Sequence, residues 1–296
     1  MEKREDKTVR WGKPKSGASF LRSGKWDEYW ETKVSHVDEH HLLMRGYPLP
    51  EIIENLSYTE ALYLMIKGEL PDEKETRVMN ALLCGIMDYD FLSPTSTAGR
   101  LVASAFPDSP IPGIAAGLLA IGRYTVSPQD AVALIDRAYE LMRKQNLTKE
   151  QIAKRIVQEY EETKQRIPGF GHPLYQEVDP RAVALRKVAM EAGFWGEKSQ
   201  LYEAIHDEFE KATGRRIAIN IDGMMACVGD EMGFDPMEVA GIAAVSFMCG
   251  LIPHVVEEIK EGSPIRMVPP TMIKYAGSLE RHLSKRRKRL NRMQCK

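Results

Sequence analysis

The chain has 296 residues, of which 43% are hydrophobic and 28% charged, and its formal net charge of −1 reflects 41 Lys+Arg against 42 Asp+Glu. This is the composition of an ordinary globular protein, and it excludes a wholly disordered chain, a collagen and a disulfide scaffold. The charge balance gives no electrostatic basis for a nucleic-acid partner. The length suits one large domain or roughly two lobes with a full hydrophobic core.

The predicted elements begin after a polar segment, residues 1–25, where we expect a flexible N-terminal arm. Weak alternation up to Tyr47 predicts a short hairpin, and helical periodicity starts at Pro50. Ser57 and Glu60 form the capping box of a helix N-terminus. Helical patterns then continue along the chain with almost no further strand signal, so the predicted fold class is all-α.

One apolar segment, residues 239–256, approaches the roughly 20 residues of a membrane-spanning helix. It contains Pro253, His254 and many small residues, and Glu257 follows directly. We therefore expect a fully buried central helix of a large helical protein, with no membrane partner.

Cysteine spacing and the chain termini bear on the cellular compartment. The four cysteines form no CxxC pair, which favours reduced structural thiols. The N-terminal residues lack the apolar region of a secretory signal, so we expect a cytoplasmic protein. The basic residues 285–296 can bind phosphates, but a terminal charge run is more often a solvated helix end.

Most of the seven histidines carry weak signals. His36, His40 and His41 cluster near the N-terminus, but no HExxH motif or Cys/His pairing accompanies them, and the sequence predicts no metal site. We interpret His206, on a charged helix, as a surface residue. We interpret His254 as a hydrogen-bonded residue of the buried helix and not as a catalyst.

His172 differs because it lies in a loop whose two glycines let the backbone approach a ligand and leave N–H groups free. Arg181 follows nine residues later, at a predicted helix start. A loop histidine can exchange a proton with a ligand oxygen while a nearby arginine holds a carboxylate. The alternative is a glycine-rich connector with an incidental histidine.

Asp222 lies in an apolar context between Ile221 and Met224, where desolvation raises the pKa of a carboxylic acid. Such a group can act as an acid or base at carbon. The alternative is a helix N-cap, since Asp-Gly precedes a helical run. Arg215 and Arg216, just upstream, suit phosphate oxygens.

Several segments resemble those of citrate synthases. PGFGHPLYQEVDPRA, from Pro168, resembles the family's GFGH…DPR segment, and NIDG, from Asn220, resembles its NVD segment. RGYPLPEIIENL and AAVSFMCGLIPH resemble two further family segments, in the same order and spacing, over residues 30–280. The short length and the segment GLLAIGRYTVSPQDA look most similar to citryl-CoA lyases and the C-terminal module of ATP-citrate lyase.

The resemblance implies an almost wholly helical homodimer, or a higher homo-oligomer, in which a small domain closes on a large one. Residues 26–125 and 225–296 would form the large domain and residues 126–224 the small one. Coenzyme A would be bound as part of an acyl-CoA substrate or product, with a keto acid as the second small-molecule partner. The implied CoA-binding residues are Pro168, Gly169, Phe170, Gly171, Arg215 and Arg216.

The family reaction is a Claisen-type condensation of acetyl-CoA with a keto acid, or its reversal. If the family's residue roles apply to the matching positions of this chain, His172 is the acid/base at the alcohol or ketone oxygen. Asp222 then moves the proton at the α-carbon of the thioester. Arg181 grips a substrate carboxylate. Arg266 has the position of a carboxylate-binding arginine donated across the dimer.

Five positions depart from the family pattern: Pro173 and Gln176 follow the GFGH segment where the family has other residues, and three more departures bear on the chemistry. Tyr89 replaces a substrate-binding histidine and Thr125 replaces the histidine of the HGGA motif, but both can donate a hydrogen bond to an enolate oxygen. Lyase modules also lack the second histidine, so Thr125 favours a lyase. Phe247 replaces a carboxylate-binding arginine and suits a less carboxylated acyl-CoA.

These observations leave three functions open. The first is a lyase that cleaves a 3-hydroxy-3-carboxyacyl-CoA such as citryl-CoA to acetyl-CoA and oxaloacetate. The second is a condensing enzyme that resembles citrate synthase. The third is a non-catalytic homologue that binds acyl-CoA, which the three departures favour and the presence of His172 and Asp222 disfavours.

Overall fold

The computed structural model describes residues 31–282, so the predicted arm at 1–25 and the basic residues 285–296 lie outside the described residues. The predicted hairpin is present as a three-stranded antiparallel sheet of β1 (Ser35–Val37), β2 (Leu42–Met44) and β3 (Tyr47–Pro48). The other regular elements of the described residues are helices, joined by loops, which confirms the all-α prediction. The helices are α1 (Leu49–Asn55), α2 (Tyr58–Lys67), α3 (Glu73–Gly85), α4 (Pro94–Ala103), α5 (Ile111–Leu119), α6 (Pro128–Gln145), α7 (Lys149–Thr163), α8 (Pro180–Ala192), α9 (Glu197–Thr213), α10 (Ile221–Glu231) and α11 (Pro236–Glu261).

Local sequence signals set many helix boundaries. Ser57 and Glu60 form the predicted capping box of α2, and the helix ends at Gly68, whose φ of 85° is the left-handed conformation that glycine adopts without strain. Asp235 and Glu238 cap α11 in the same reciprocal way. Each box satisfies two N–H groups that a helix start leaves unpaired.

The main hydrophobic core contains residues of α2 and α3 and of every helix from α6 through α11. Its residues come from both of the domains predicted from the sequence, residues 126–224 and the flanking segments, and that division stays a prediction. A smaller cluster lies where α4, α5 and α11 meet. Close packing there requires Gly117, because a Cβ at this position would come within 2.5 Å of Leu251.

The prediction that α11 is fully buried was wrong. Only 44% of its most apolar 18-residue window is buried within the chain, because one face packs against α3 to α6 and the other lies at the surface. Within residues 31–282, α11 is one helix whose length and composition would allow it to span a membrane. A single helix of this kind is weak evidence for a membrane protein, since core helices pass the same criteria.

Candidate active site

Glycine conformation and one tyrosine fix the loop that carries His172. Gly169 and Gly171 have φ values of 81° and 86°, in the left-handed region. The Tyr202 hydroxyl, on α9, donates a 2.5 Å hydrogen bond to the Pro168 carbonyl. A Cβ on Gly169 would lie 2.1 Å from that hydroxyl, so a side chain there would displace the contact.

The His172 loop is bonded directly to the segment that leads into α10. The Gly171 N–H donates to the Ala218 carbonyl at 2.8 Å, and the Asn220 N–H donates to the Gly169 carbonyl at 2.9 Å. The Asn220 amide adds a 2.8 Å bond to the Gly171 carbonyl. The structure therefore brings the two sequence motifs together, with His172 on one segment and Asp222 just beyond the other.

Asn220, and not Asp222, is the N-cap of α10. Its side-chain oxygen accepts the Gly223 N–H at 3.0 Å. The alternative reading of Asp222 as a cap is thus wrong, and its carboxylate has no capping role. Asp222 lies in the first turn of α10, partly accessible, and accepts one hydrogen bond, from the Ser127 N–H at 3.2 Å.

The environment of Asp222 disfavours its charge. Burial raises the pKa of Asp222 to about 6, although the Ser127 N–H and the charge of Arg181 act in the opposite direction. A carboxyl group with this pKa exists in both protonation states near neutral pH, which suits proton transfer to and from carbon.

His172 has a defined orientation. Its Nδ1 accepts the backbone N–H of Tyr175 at 2.9 Å and that of Leu174 at 3.2 Å. These donors favour placing the single proton of the neutral ring on Nε2. Burial, followed by the charge of Arg181, lowers the pKa of His172, so the ring is neutral at pH 7.

Arg181 Nη2 lies 3.1 Å from His172 Nε2. The guanidinium can only donate, and the tautomer favoured by the hydrogen bonds to Nδ1 makes His172 Nε2 a donor as well. Two donors cannot satisfy each other, but an oxygen atom placed beside both nitrogens can accept from both. The pair is therefore a preformed site for a carbonyl, hydroxyl or carboxylate oxygen.

A buried carboxylate holds Arg181 in place. Asp179 accepts Arg181 Nε at 3.0 Å and Nη2 at 2.8 Å, together with the backbone N–H groups of Arg181 and Ile221. Burial alone raises the pKa of Asp179, but these bonds and the charge of Arg181 outweigh it, and the net pKa is lowered. Asp179 remains ionised and ties Arg181 to the start of α10.

Aromatic side chains form the wall around this pair. The Tyr175 ring stacks on His172 with centroids 4.6 Å apart, and the Arg181 guanidinium lies 4.8 Å from the Tyr89 ring centroid. The Tyr89 hydroxyl is 3.5 Å from His172 Nδ1. Tyr89 thus lies beside the predicted catalytic histidine, while its predicted role as an oxyanion donor stays a prediction.

Thr125 and Arg266 have partners within the chain. The Thr125 hydroxyl accepts the Gly122 N–H at 2.8 Å and lies 2.9 Å from the Ala120 carbonyl, so it closes the turn before α6. The Arg266 Nε donates to Glu258, a buried residue of α11, at 2.6 Å. Their predicted roles in catalysis and carboxylate binding stay predictions.

Three other predicted residues make no hydrogen bond or ion pair with His172 or Arg181 within residues 31–282. Phe247 is only 7% exposed and belongs to the main core, which places it in packing rather than at an open surface. Arg215 and Arg216 are exposed, just before the segment bonded to the His172 loop. Arg216 lies 3.8 Å from Glu177, and coenzyme A binding by this region stays a prediction.

A family model described as the C-terminal domain of citrate synthase matches residues 28–85 and 71–268. The chain belongs to the citrate synthase family. Family membership agrees with the GFGH and NIDG segments, which the fold brings together.

Some of the similar proteins are named lyases and others are named citrate synthases. A citryl-CoA lyase structure from Hydrogenobacter thermophilus is 35% identical with a TM-score of 0.79, over 88% of this chain and 99% of that one. An ATP citrate lyase structure from Methanothrix soehngenii is 20% identical with a TM-score of 0.70, over 95% of this chain and 47% of that one, and it supports the fold alone. Peroxisomal citrate synthase of Dictyostelium discoideum is 26% identical over 75% of this chain and 45% of that protein. The chain spans about half the length of the curated relatives it matches.

Sequence reasoning missed several residues of this citrate synthase family site. Asp179 could have been found from the DPR triplet, and Tyr175 from its place three residues after His172. Tyr202 left no signal because its partner is 34 residues away. The prediction that His206 is a surface residue was wrong. Its Nε2 lies 2.6 Å from the Ile217 carbonyl, and its ring packs edge-on against Phe170.

Proposed function

We propose that this chain is a CoA-dependent carbon–carbon lyase that cleaves a 3-hydroxy-3-carboxyacyl-CoA such as citryl-CoA to acetyl-CoA and oxaloacetate. The observation that carries the proposal is the pair of donors, His172 Nε2 and Arg181 Nη2, beside the motif that bears Asp222. The citryl-CoA lyase neighbour, matched over nearly its whole length, supports this direction of the reaction.

In the proposed cleavage, the substrate hydroxyl oxygen accepts hydrogen bonds from both His172 Nε2 and Arg181. Its proton passes to a water molecule, and the two fixed donors stabilise the negative charge that develops on the oxygen. As the adjacent carbon–carbon bond breaks, the electron pair on the oxygen forms the carbonyl of the keto acid and the bonding pair passes to the enolate. Within the acid/base role that the resemblance implies for His172, the hydrogen bonds to Nδ1 favour this donor role. Asp179 prevents Arg181 from moving away, so the donor geometry exists before the substrate binds.

Asp222 completes the proposed reaction at the other fragment. Bond cleavage leaves an enolate of acetyl-CoA, which becomes acetyl-CoA when its carbon receives a proton. Asp222, with a pKa of about 6, is protonated often enough to donate that proton and is regenerated from solvent. In the reverse direction the same carboxylate would remove the proton.

A condensing enzyme is the second candidate, because curated relatives are named citrate synthases. The same donors and the same Asp222 would then act on a keto acid and acetyl-CoA. A non-catalytic homologue that binds acyl-CoA is the third. A non-catalytic protein gives no chemical reason for Asp222 to form no ion pair within residues 31–282 while its surroundings raise its pKa.

We also propose a homodimer, in the cytoplasm. Large apolar side chains are exposed on and between α4 and α5, and a second copy would remove them from water. They include Leu101, Phe106, Ile111 and Leu119. We expect I111D to lower the apparent mass in analytical ultracentrifugation towards that of a single chain. A monomeric wild-type protein would contradict this proposal.

The test of the lyase is incubation of the purified chain with citryl-CoA, with acetyl-CoA and oxaloacetate quantified by mass spectrometry. We expect cleavage by the wild type, at least 100-fold slower cleavage by H172A, and an unchanged rate for H282A, which alters an exposed histidine. A parallel incubation with acetyl-CoA and oxaloacetate measures condensation. Binding of citryl-CoA without cleavage would contradict the lyase and direct attention to Phe247 and less carboxylated substrates.

A further inference from the structure

The β1–β2 hairpin brings together three side chains that the sequence offered only as a loose histidine cluster. His36 lies on β1, His41 directly precedes β2, and Asp38 lies in the turn between them. One ligand atom from each of the three falls within 4.8 Å of the others. None of these residues belongs to the candidate active site, so the cluster is independent of the proposed reaction.

The two oxygens of Asp38 have different surroundings. Oδ1 accepts the backbone N–H groups of His40 at 2.8 Å and His41 at 2.7 Å. Oδ2 accepts no backbone N–H and lies 3.0 Å from His36 Nε2 and 3.1 Å from His41 Nδ1, a nitrogen that is also 3.0 Å from Oδ1. The backbone therefore anchors one edge of the carboxylate and leaves the other edge between two imidazole nitrogens.

These spacings are close to those of a tetrahedral metal site. Two ligands bonded to zinc at about 2.0–2.1 Å lie roughly 3.3 Å apart, only a few tenths of an ångström more than the distances from Oδ2 to the two nitrogens. We propose that the hairpin turn binds one zinc-type divalent transition-metal ion through His36 Nε2, Asp38 Oδ2 and His41 Nδ1.

The surroundings favour an ion over a mere hydrogen-bonded cluster. The His40 N–H, followed by the two imidazoles, lowers the pKa of Asp38, so the carboxylate is an ionised ligand at neutral pH. Hydrogen bonds that hold the non-ligating oxygen orient a ligating carboxylate. Each imidazole can bind a metal ion at the ring nitrogen that now faces Asp38, in the tautomer that carries the single proton of the neutral ring on its other nitrogen.

The proposed ion would have three protein ligands and an open position for water. Both histidines are exposed, with side-chain exposures of 61% and 58% for His36 and His41. Because His36 lies on β1 and His41 directly precedes β2, the ion would cross-link the two sides of the hairpin. A nitrogen and oxygen donor set of this kind suits zinc, and also nickel and copper, better than magnesium or calcium.

The test is titration of the full chain, without an affinity tag, with Zn²⁺ at pH 7.5 by isothermal calorimetry. We expect about one ion per chain, and at least tenfold weaker binding for H36A, D38A and H41A, in line with the effects of disrupting a metal site. H40A is the matched control: it removes a histidine from the same turn that contributes no ligand atom, and it should bind Zn²⁺ like the wild type.

Two further results would settle the proposal. Circular dichroism melting of the same variants without zinc should match the wild type, and added Zn²⁺ should raise the melting temperature of the wild type and H40A only. Wild-type binding no tighter than that of a H36A/H41A double variant would overturn the site, because exposed thiols such as Cys84 would then account for the bound zinc. Equal losses for H40A and H41A would also overturn it.

Discussion

Asp179 and Asp222 are neighbouring carboxylates with opposite electrostatics. Asp179 is only 1% exposed, yet its pKa is lowered, whereas Asp222 is partly accessible and its pKa is raised to about 6. Asp179 accepts four hydrogen bonds, three of them from Arg181, and Asp222 accepts one. The number and charge of the donors, and not burial alone, separate a carboxylate that holds structure from one that can exchange a proton.

The largest expected effect comes from removing the proton-exchanging group. We expect D222N to lower kcat for citryl-CoA cleavage by about 1,000-fold, within the range of general acid–base catalysis, with little change in KM. Because the amide also relieves an unfavourable buried charge, the melting temperature should not fall. D108N, in the exposed loop between α4 and α5, is the matched control and should retain full activity. Comparable activity of D222N and D108N would remove Asp222 from the reaction.

The same substitution at Asp179 should act mainly on stability, whereas D222N should act mainly on activity. D179N breaks a buried ion pair, a loss of about 3–5 kcal/mol that corresponds to a fall in melting temperature of roughly 6–20 °C for a chain of this size. Activity should fall as well, because Arg181 loses its anchor. Differential scanning calorimetry of D179N beside D222N measures the contrast directly. Equal melting temperatures for the two variants would contradict the structural role of Asp179.

The pKa values predict how cleavage depends on pH. Cleavage begins with Asp222 protonated. Because the pKa of Asp222 is raised to about 6, its carboxyl group keeps this proton up to a pH of about 6. We therefore expect kcat/KM to fall roughly tenfold per pH unit above that point, whereas an ordinary aspartate would lose its proton two units lower. A stopped-flow pH profile from 5 to 8 checks this. A rate that is flat across the whole range would show that Asp222 does not limit the reaction.

The smallest loss of activity is expected from a change at Tyr202, which holds the loop of the GFGH segment in place. Y202F removes the hydroxyl that donates to the Pro168 carbonyl and should slow kcat by about tenfold, the equivalent of roughly 1.4 kcal/mol, with KM unchanged. Tyr202 is fully buried, so we assign it a positioning role in the loop. Y124F, at an exposed tyrosine, is the control. A change in KM alone would point to ligand binding and not to positioning.

Much of the fold could be predicted, because its signals are local. The capping box at Ser57, the hairpin before Tyr47 and the helical periodicity each depend on residues within one or two turns of one another. The degree of burial of α11 depends on which elements pack against it. An apolar sequence indicates burial somewhere, but not whether one face is covered or both.

The candidate site could be predicted only in part, for the same reason. His172, Arg181 and Asp222 were found because the glycine-rich loop and the apolar context mark them. The Ser127 N–H is 95 residues from Asp222, and the Ile221 N–H is 42 residues from Asp179. The hydrogen-bond donor to Asp222 therefore leaves no local trace, whereas three of the four hydrogen bonds to Asp179 come from Arg181, two residues along the chain. The capping role of Asn220 likewise became clear only from its bond to Gly223.

The most direct test of the contrast between the two carboxylates is proton exchange at acetyl-CoA. Acetyl-CoA is incubated in D₂O with the enzyme and oxaloacetate, and deuterium in the acetyl methyl group is measured by mass spectrometry. We predict rapid exchange with the wild type, none above background with D222N, and exchange that persists in D179N at a temperature where that variant is folded. Exchange catalysed by D222N at the wild-type rate would contradict the assignment of Asp222 as the group that moves the proton at carbon.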